Sequence, residues 1–294
     1  MDVFLTGATG YIGEAVADAL VAAGHAVTGL IRPGKDTRFL AGRGIRPFEG
    51  ALENPAPVAA EAARNDALVH TAFDWGPNGG LVDAGFVDAA LDALEGTSKR
   101  FLYTSGVWVM GDTAAGADED SPLNTPPLVA WRAATERKVL DSGARGVRGI
   151  VIRPATVYGR GRGLVANFVK SARETGTAII VGSGENYWSF VHIDDLARLY
   201  TLALDAPPGS LYIAASGSPL RMREVARAAS EAAGTEGRIQ SWVMDEAVVA
   251  MGPVVQGLVL DQRVSGQRAE RALGWKPQAP SVLEELRRSY AAAR

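Results

Sequence analysis

The chain has 294 residues, 47% hydrophobic and 21% charged, with a formal net charge of −3, the composition of an ordinary globular protein. Lys and Arg alternate with Asp and Glu and form no basic stripe, so nucleic acid is not an expected partner. The lack of cysteine rules out disulfides and thiol chemistry, and His25, His70 and His192 lack metal-ligand spacing, so no metal is expected.

"DVFLTG" reads as a first strand. It leads into "YIGEAVADALVAAGH", where Ile12, Val16, Ala19, Leu20 and Ala23 share one helical face and Gly24 marks the stop. The runs "AVTGLIR", "IRPFEG" and "DALVHTAF" follow, then a helical stretch "GLVDAGFVDAALDAL", the run "KRFLYTSG", a further helix with Thr125 as N-cap, Pro126 in its first turn and a stop near Gly143, and "GIVIRPATVYG". Short strands separated by helices of about 10–15 residues predict a parallel sheet with helices on both faces. Right-handed crossovers then make it a Rossmann-type, doubly wound α/β sheet.

After Gly159 the alternation weakens. "RGRGLVANFVKSARETG" and "DDLARLYTLAL" read as helices, "AIIVGSGENYWSFVHI" as strand and loop, and "SLYIAAS" as one more strand of the main sheet. The remainder predicts a smaller α/β region. With no repeat or linker in view, two interleaved lobes are expected: a dinucleotide-binding domain from 1–159 and 190–216, and a substrate lobe from 160–189 and 217–294. No apolar stretch approaches the roughly 20 residues of a membrane span, and the N-terminus lacks a signal-peptide pattern. The expectation is a cytoplasmic protein with no membrane partner.

In "TGATGYIG" the glycines stand at 7, 10 and 13. Gly7 permits a tight strand-to-helix turn, Gly10 lets the backbone approach a diphosphate, and Gly13 lets the helix lie against the sheet. The turn's N–H groups and the positive end of the helix suit phosphate. At the end of the second strand an acid would take the ribose 2′-hydroxyl of NAD, whereas a base suits the 2′-phosphate of NADP. "GLIRPGKD" places Arg32 there, with Lys35 behind it and an acid only at Asp36, so NADP is expected over NAD.

With "RFLYTSGVWVMG", "VIRPATVYGRG", "SFVHIDDLA" and "RAERALGWKP" following "TGATGYIG" in order, the chain resembles the extended short-chain dehydrogenase/reductase family, the NAD(P)-dependent epimerases and dehydratases. The resemblance implies cofactor contacts from Thr9, Tyr11, Ile12, Ala51, Leu52, Thr71, Ala72, Phe73, Thr104, Pro154 and Val157, and it suggests a homodimer. It also implies a Tyr-x-x-x-Lys pair on a helix and a Ser or Thr after the fifth strand. With Glu136 aligned to the family glutamate, those positions fall on Leu128, Arg132 and Gly106. No tyrosine occurs between Tyr103 and Tyr158, so no slip restores the pair. The pattern is similar to the atypical branch of the family. Arginine keeps its charge and can hold a ribose hydroxyl or an anionic substrate, but it is a poor proton donor.

Ligands of such sheets lie beyond the carboxyl ends of the strands. Trp75, Trp108, Trp131, Tyr187 and Trp188 are expected at that mouth, where they suit a flat, apolar substrate, together with Asp74, Gly106, Leu128 and Thr156. Pro154, Thr156 and Tyr158 would face one side of the sixth strand, which makes Tyr158 the candidate proton donor beside Arg132. In "FVHIDDLA" the acids Asp194 and Asp195, after His192, read as caps of the next helix and not as catalytic groups. His70 reads as a hydrogen-bonded core histidine, and Glu136 as an i,i+4 partner of Arg132. The expected activity is NADP(H)-dependent reduction of a hydrophobic or aromatic small molecule. The alternatives are a cofactor-bound epimerase, lyase or cyclase, and a catalytically silent NADP-binding regulator.

Overall fold

A computed structural model describes residues 1–290. In the first half strand and helix alternate: β1 (Asp2–Thr6), α1 (Tyr11–Ala22), β2 (Ala26–Ile31), α2 (Arg38–Ala41), β3 (Arg46–Glu49), α3 (Pro55–Ala62), β4 (Ala67–His70), α4 (Gly79–Leu94), β5 (Arg100–Thr104), α5 (Ala130–Leu140) and β6 (Arg148–Pro154). The second half runs β7 (Thr156–Tyr158), α6 (Leu164–Thr175), β8 (Ala178–Val181), β9 (Tyr187–His192), α7 (Ile193–Ala203), β10 (Ser210–Ala214) and β11 (Ser216–Arg221). It continues with α8 (Met222–Ala232), β12 (Ile239–Trp242), α9 (Met244–Met251), α10 (Val255–Leu258), α11 (Gln267–Leu273) and α12 (Val282–Ser289).

The main sheet has the order β3-β2-β1-β4-β5-β6-β10, and every pairing is parallel. Its strands other than the edge strand β3 are largely buried on both faces, so their side chains divide by alternation. Val3, Leu5, Val69, Leu102, Ile150 and Ile152 pack with Val16 and Leu20 of α1 and Leu196 and Leu199 of α7. Phe4, Leu68, Phe101, Tyr103 and Val151 pack on the other side with Val58 of α3, Phe86 and Leu91 of α4 and Val139 of α5. From β1 the chain winds outward to β3 and then returns to β4 on the far side of β1, which opens a crevice between β1 and β4. This is the Rossmann-type sheet expected from the sequence.

The smaller lobe centres on the parallel pair β8 and β12, with Phe168, Val225, Trp188 and Leu286 among its core. A three-stranded sheet, β11-β9-β7, joins it to the main sheet. Two expectations fail here. The sixth strand does not continue to Tyr158: the chain breaks at Ala155, whose N–H donates to the Ala214 carbonyl at 2.9 Å. β7 then leaves the main sheet to pair with β9, so Pro154 belongs to a different sheet from Thr156 and Tyr158. Nor does a helix start at Thr125. Its hydroxyl donates to the Val109 carbonyl at 2.7 Å, a 3-10 turn spans Pro127–Val129, and α5 begins only at Ala130. Among the described residues no helix is long and apolar enough to cross a membrane.

Candidate active site

The turn between β1 and α1 closes tightly. Gly7 has φ +74°, and a Cβ there would lie 2.7 Å from the Ala72 nitrogen. A Cβ on Gly13 would lie 2.0 Å from the Gly7 carbonyl oxygen. The Gly10 N–H donates to the Gly7 carbonyl at 2.8 Å, and no side chain caps α1, so its first-turn N–H groups keep their donors for a ligand. These features fit a dinucleotide diphosphate: backbone donors at a positive helix end, with no side-chain cap occupying them. Tyr11 ties this end to the other lobe by donating its hydroxyl to the Gly159 carbonyl at 2.9 Å, and burial pushes that hydroxyl's pKa up.

The β4 side of the crevice is held by a buried relay. Thr71 donates to the Thr6 carbonyl at 2.7 Å, and the Ala72 N–H donates to Thr6 Oγ1 at 3.2 Å. His70 Nδ1 lies 2.6 Å from Thr6 Oγ1, and its Nε2 lies 3.1 Å from Asp83. Tyr103 donates to the second Asp83 oxygen at 2.8 Å, its own pKa raised chiefly by burial. His70 is therefore a hydrogen-bonded core histidine.

At the end of β2, Arg32 and Lys35 are exposed, and Arg32 Nη2 lies 3.7 Å from an Asp74 oxygen. Asp74, expected beside the substrate, is thus brought to the nucleotide end. Asp36 is engaged by its neighbour Arg38 at 2.7 Å. Ala51 and Leu52, just past β3, are half-buried.

The decisive corner lies where β5 ends and α5 begins. Arg132 is only 9% exposed. Its Nη1 donates to the Thr104 carbonyl at 2.8 Å, and its guanidinium lies over the Phe73 ring at 5.0 Å and the Trp131 ring at 4.5 Å. Those two rings stack on each other at 5.4 Å with an angle of 6°. Trp75 meets Phe73 edge-on at 5.0 Å and is 70% exposed. The Trp131 ring packs on Gly80 of α4, where a Cβ would come within 2.7 Å, and Trp108 packs on Gly257 in the same manner, at 2.6 Å. Gly106 is extended and open, with nothing within 4 Å of a would-be Cβ. Leu128 and Trp108 pack on one apolar cluster with Val107, Val129 and Ala155. The positions where the resemblance places the family tyrosine and serine therefore form an apolar wall and a gap.

Glu136 does not pair with Arg132 as expected. It accepts a forked pair of hydrogen bonds from Arg153 of β6, at 2.6 Å and 3.0 Å for the shortest to each oxygen, and a short one from the Ser105 hydroxyl. All three residues are buried. Ser105 and Arg153 escaped the sequence reading, although a lone arginine inside the apolar run "GIVIRPA" was a usable signal. Thr104 is also engaged through its side chain, 2.6 Å from the fully buried Tyr200 hydroxyl.

Two expected site residues, Tyr158 and Trp188, are committed elsewhere. Tyr158 is 3% exposed and donates to the Pro280 carbonyl at 2.7 Å; burial raises its pKa, so its hydroxyl serves packing of the small lobe and not proton transfer at the corner. Trp188 is also 3% exposed, donates to the Leu258 carbonyl at 3.2 Å and stacks on Phe168. Tyr187 lies under the Arg263 guanidinium at 4.0 Å. Thr156 and Val157 are half-buried on β7, and Val157 packs against the main core. The cap of α7 is His192 itself, whose Nδ1 accepts the Asp194 N–H at 3.2 Å. Asp194 pairs with Arg160, and buried Asp195 accepts the N–H groups of Gln278 and Ala279. A cavity of about 370 Å³ beside Glu119 and Arg268 lies apart from the corner and contains none of its residues.

A family model for the NAD dependent epimerase/dehydratase family matches residues 3–214. An uncharacterised protein of Schizosaccharomyces pombe is 30% identical over 293 residues, covering 97% of this chain and 98% of the relative. The 2-alkyl-3-oxoalkanoate reductase of Stenotrophomonas maltophilia is 27% identical, covering 100% of this chain and 99% of the relative. Among solved structures, the dTDP-glucose 4,6-dehydratase DesIV of Streptomyces venezuelae has the same fold, with a TM-score of 0.83 at 21% identity over 98% of this chain and 96% of that one. The chain belongs to the NAD-dependent epimerase/dehydratase family and is an NAD(P)-dependent oxidoreductase or epimerase/dehydratase.

Proposed function

We propose that the protein is an NADP(H)-dependent reductase of a hydrophobic or aromatic small molecule, with its proton taken from a source other than the family tyrosine. The observation that carries this reading is the corner itself: a cation held against two stacked aromatic rings, with an open Gly106 and an apolar Leu128 wall on the adjoining segments. Backbone donors at the β1–α1 turn would grip the diphosphate, and exposed Arg32 would take the 2′-phosphate. A nicotinamide nucleotide bound there supplies hydride.

The chain's own residues then have three tasks. Arg132 orients ligand through its guanidinium, Leu128 and Trp108 keep water from one wall, and Gly106 leaves room for substrate where relatives place a hydroxyl. Ser105, Tyr158 and Tyr200 are all committed to internal hydrogen bonds. Water or a hydroxyl of the substrate is left to give the proton. A cytoplasmic homodimer completes the reading.

Incubation with NADPH and a library of carbonyl and imine compounds tests it, with nicotinamide absorbance and substrate mass followed together. Reduction gives cofactor oxidation and a product two hydrogens heavier. Altered substrate without oxidation would replace this reading with an epimerase or lyase, and tight cofactor binding with neither change would replace it with a regulator.

A further inference from the structure

Arg132 is nine-tenths buried, yet no carboxylate lies within ion-pair distance of it among the described residues. The nearest acid on its own helix, Glu136, is taken by Arg153 and Ser105. The other buried acid nearby, Asp83, has its oxygens engaged by His70 and Tyr103. A buried cation left without a counter-charge is costly unless a ligand supplies one. Phe73 and Trp131 offset part of that cost through their ring faces, which lie 5.0 Å and 4.5 Å from the guanidinium carbon. Among the described residues Nη1 alone has a hydrogen-bond partner, the Thr104 carbonyl. The Nε–Nη2 edge therefore keeps two parallel donors, the geometry that matches a carboxylate in a fork.

We propose that the substrate is a planar, aromatic carboxylate whose anionic group is held by the Nε–Nη2 edge of Arg132 while its ring lies against the aromatic group formed by Trp75, Phe73 and Trp131. This rests on the reductase reading for the place of the substrate. A ribose offers neutral hydroxyls and does not discharge the buried cation; an oxyanion does. The same oxyanion chemistry could come from a phosphate of the dinucleotide, so the test separates the two sources.

The probes are benzoate, cinnamate and phenylpyruvate, each beside its amide, titrated into full-length protein saturated with NADP+ and followed by tryptophan fluorescence. The acids should bind and the amides should bind at least tenfold more weakly. In Arg132→Gln the acids should weaken about 10- to 100-fold, the loss expected for a charge-assisted pair. Arg132→Lys, which keeps charge without the fork, should fall between. Dinucleotide affinity should change by no more than a few-fold. Equal binding of acids and amides, or no binding of any acid, overturns the proposal. So does a loss of dinucleotide affinity in Arg132→Gln that matches the loss for acids, since Arg132 would then serve the cofactor. If the glutamine variant fails to fold, as circular dichroism would reveal, the lysine variant reads the same comparison. Because binding is measured without turnover, absent NADPH oxidation would sink the reductase reading and not this one.

Discussion

At the β1–α1 turn, the groups that would touch a ligand belong to the backbone, and the side chains there matter by being absent: Gly7 and Gly13 have no room for a Cβ. At the head of α5 the reverse holds. Arg132, Trp131 and Phe73 define the space by their side chains, and Gly106 and Leu128 stand where the resemblance places the family's catalytic groups. The two ends of one cleft thus answer to different constraints. A backbone cradle tolerates no change in its glycines, because the clash is with main-chain atoms. A corner made of side chains can exchange its chemistry while the sheet beneath it stays the same.

The largest expected effect comes from the network under that corner. Glu136→Ala leaves Arg153 buried with no carboxylate and should cost about 3–5 kcal/mol of stability in urea unfolding. A loss under about 1 kcal/mol would mean the corner is far more plastic than its burial implies. Next, Gly13→Ala drives a Cβ into the Gly7 carbonyl. It should cost about 1–3 kcal/mol and abolish dinucleotide binding measured by calorimetry; retained affinity would erase the contrast between the two ends. Arg32→Ala is a milder probe of the nucleotide end. NADP affinity should drop about tenfold, roughly 1.4 kcal/mol, with NAD unchanged, and equal losses for both would remove the NADP assignment.

Smallest is Tyr158→Phe. It unpairs the Pro280 carbonyl, so about 1 kcal/mol of stability is lost, whereas turnover on any substrate found should persist. Lost turnover at normal stability would return the proton to Tyr158.

The primary sequence by itself determined the sheet, the order of its elements and the cradle. These depend on short-range patterns: a short apolar run marks β1, helical spacing brings Val16 and Leu20 of α1 into the core while Ala23 of the expected face is exposed, and a left-handed backbone needs glycine at position 7. The resemblance in register also implies which family groups are missing, the tyrosine and the serine. Only the tertiary structure decided what the remaining polar groups do. Glu136 bonds across to β6 instead of back along its helix, because Arg153 and Ser105 converge on it. Tyr158 spends its hydroxyl on Pro280, over a hundred residues away, and Asp74 turns toward Arg32 because β2 and β4 flank β1. A local pattern is set by sterics within a few residues, whereas the partner of a buried charge or hydroxyl depends on which distant strand the topology brings beside it.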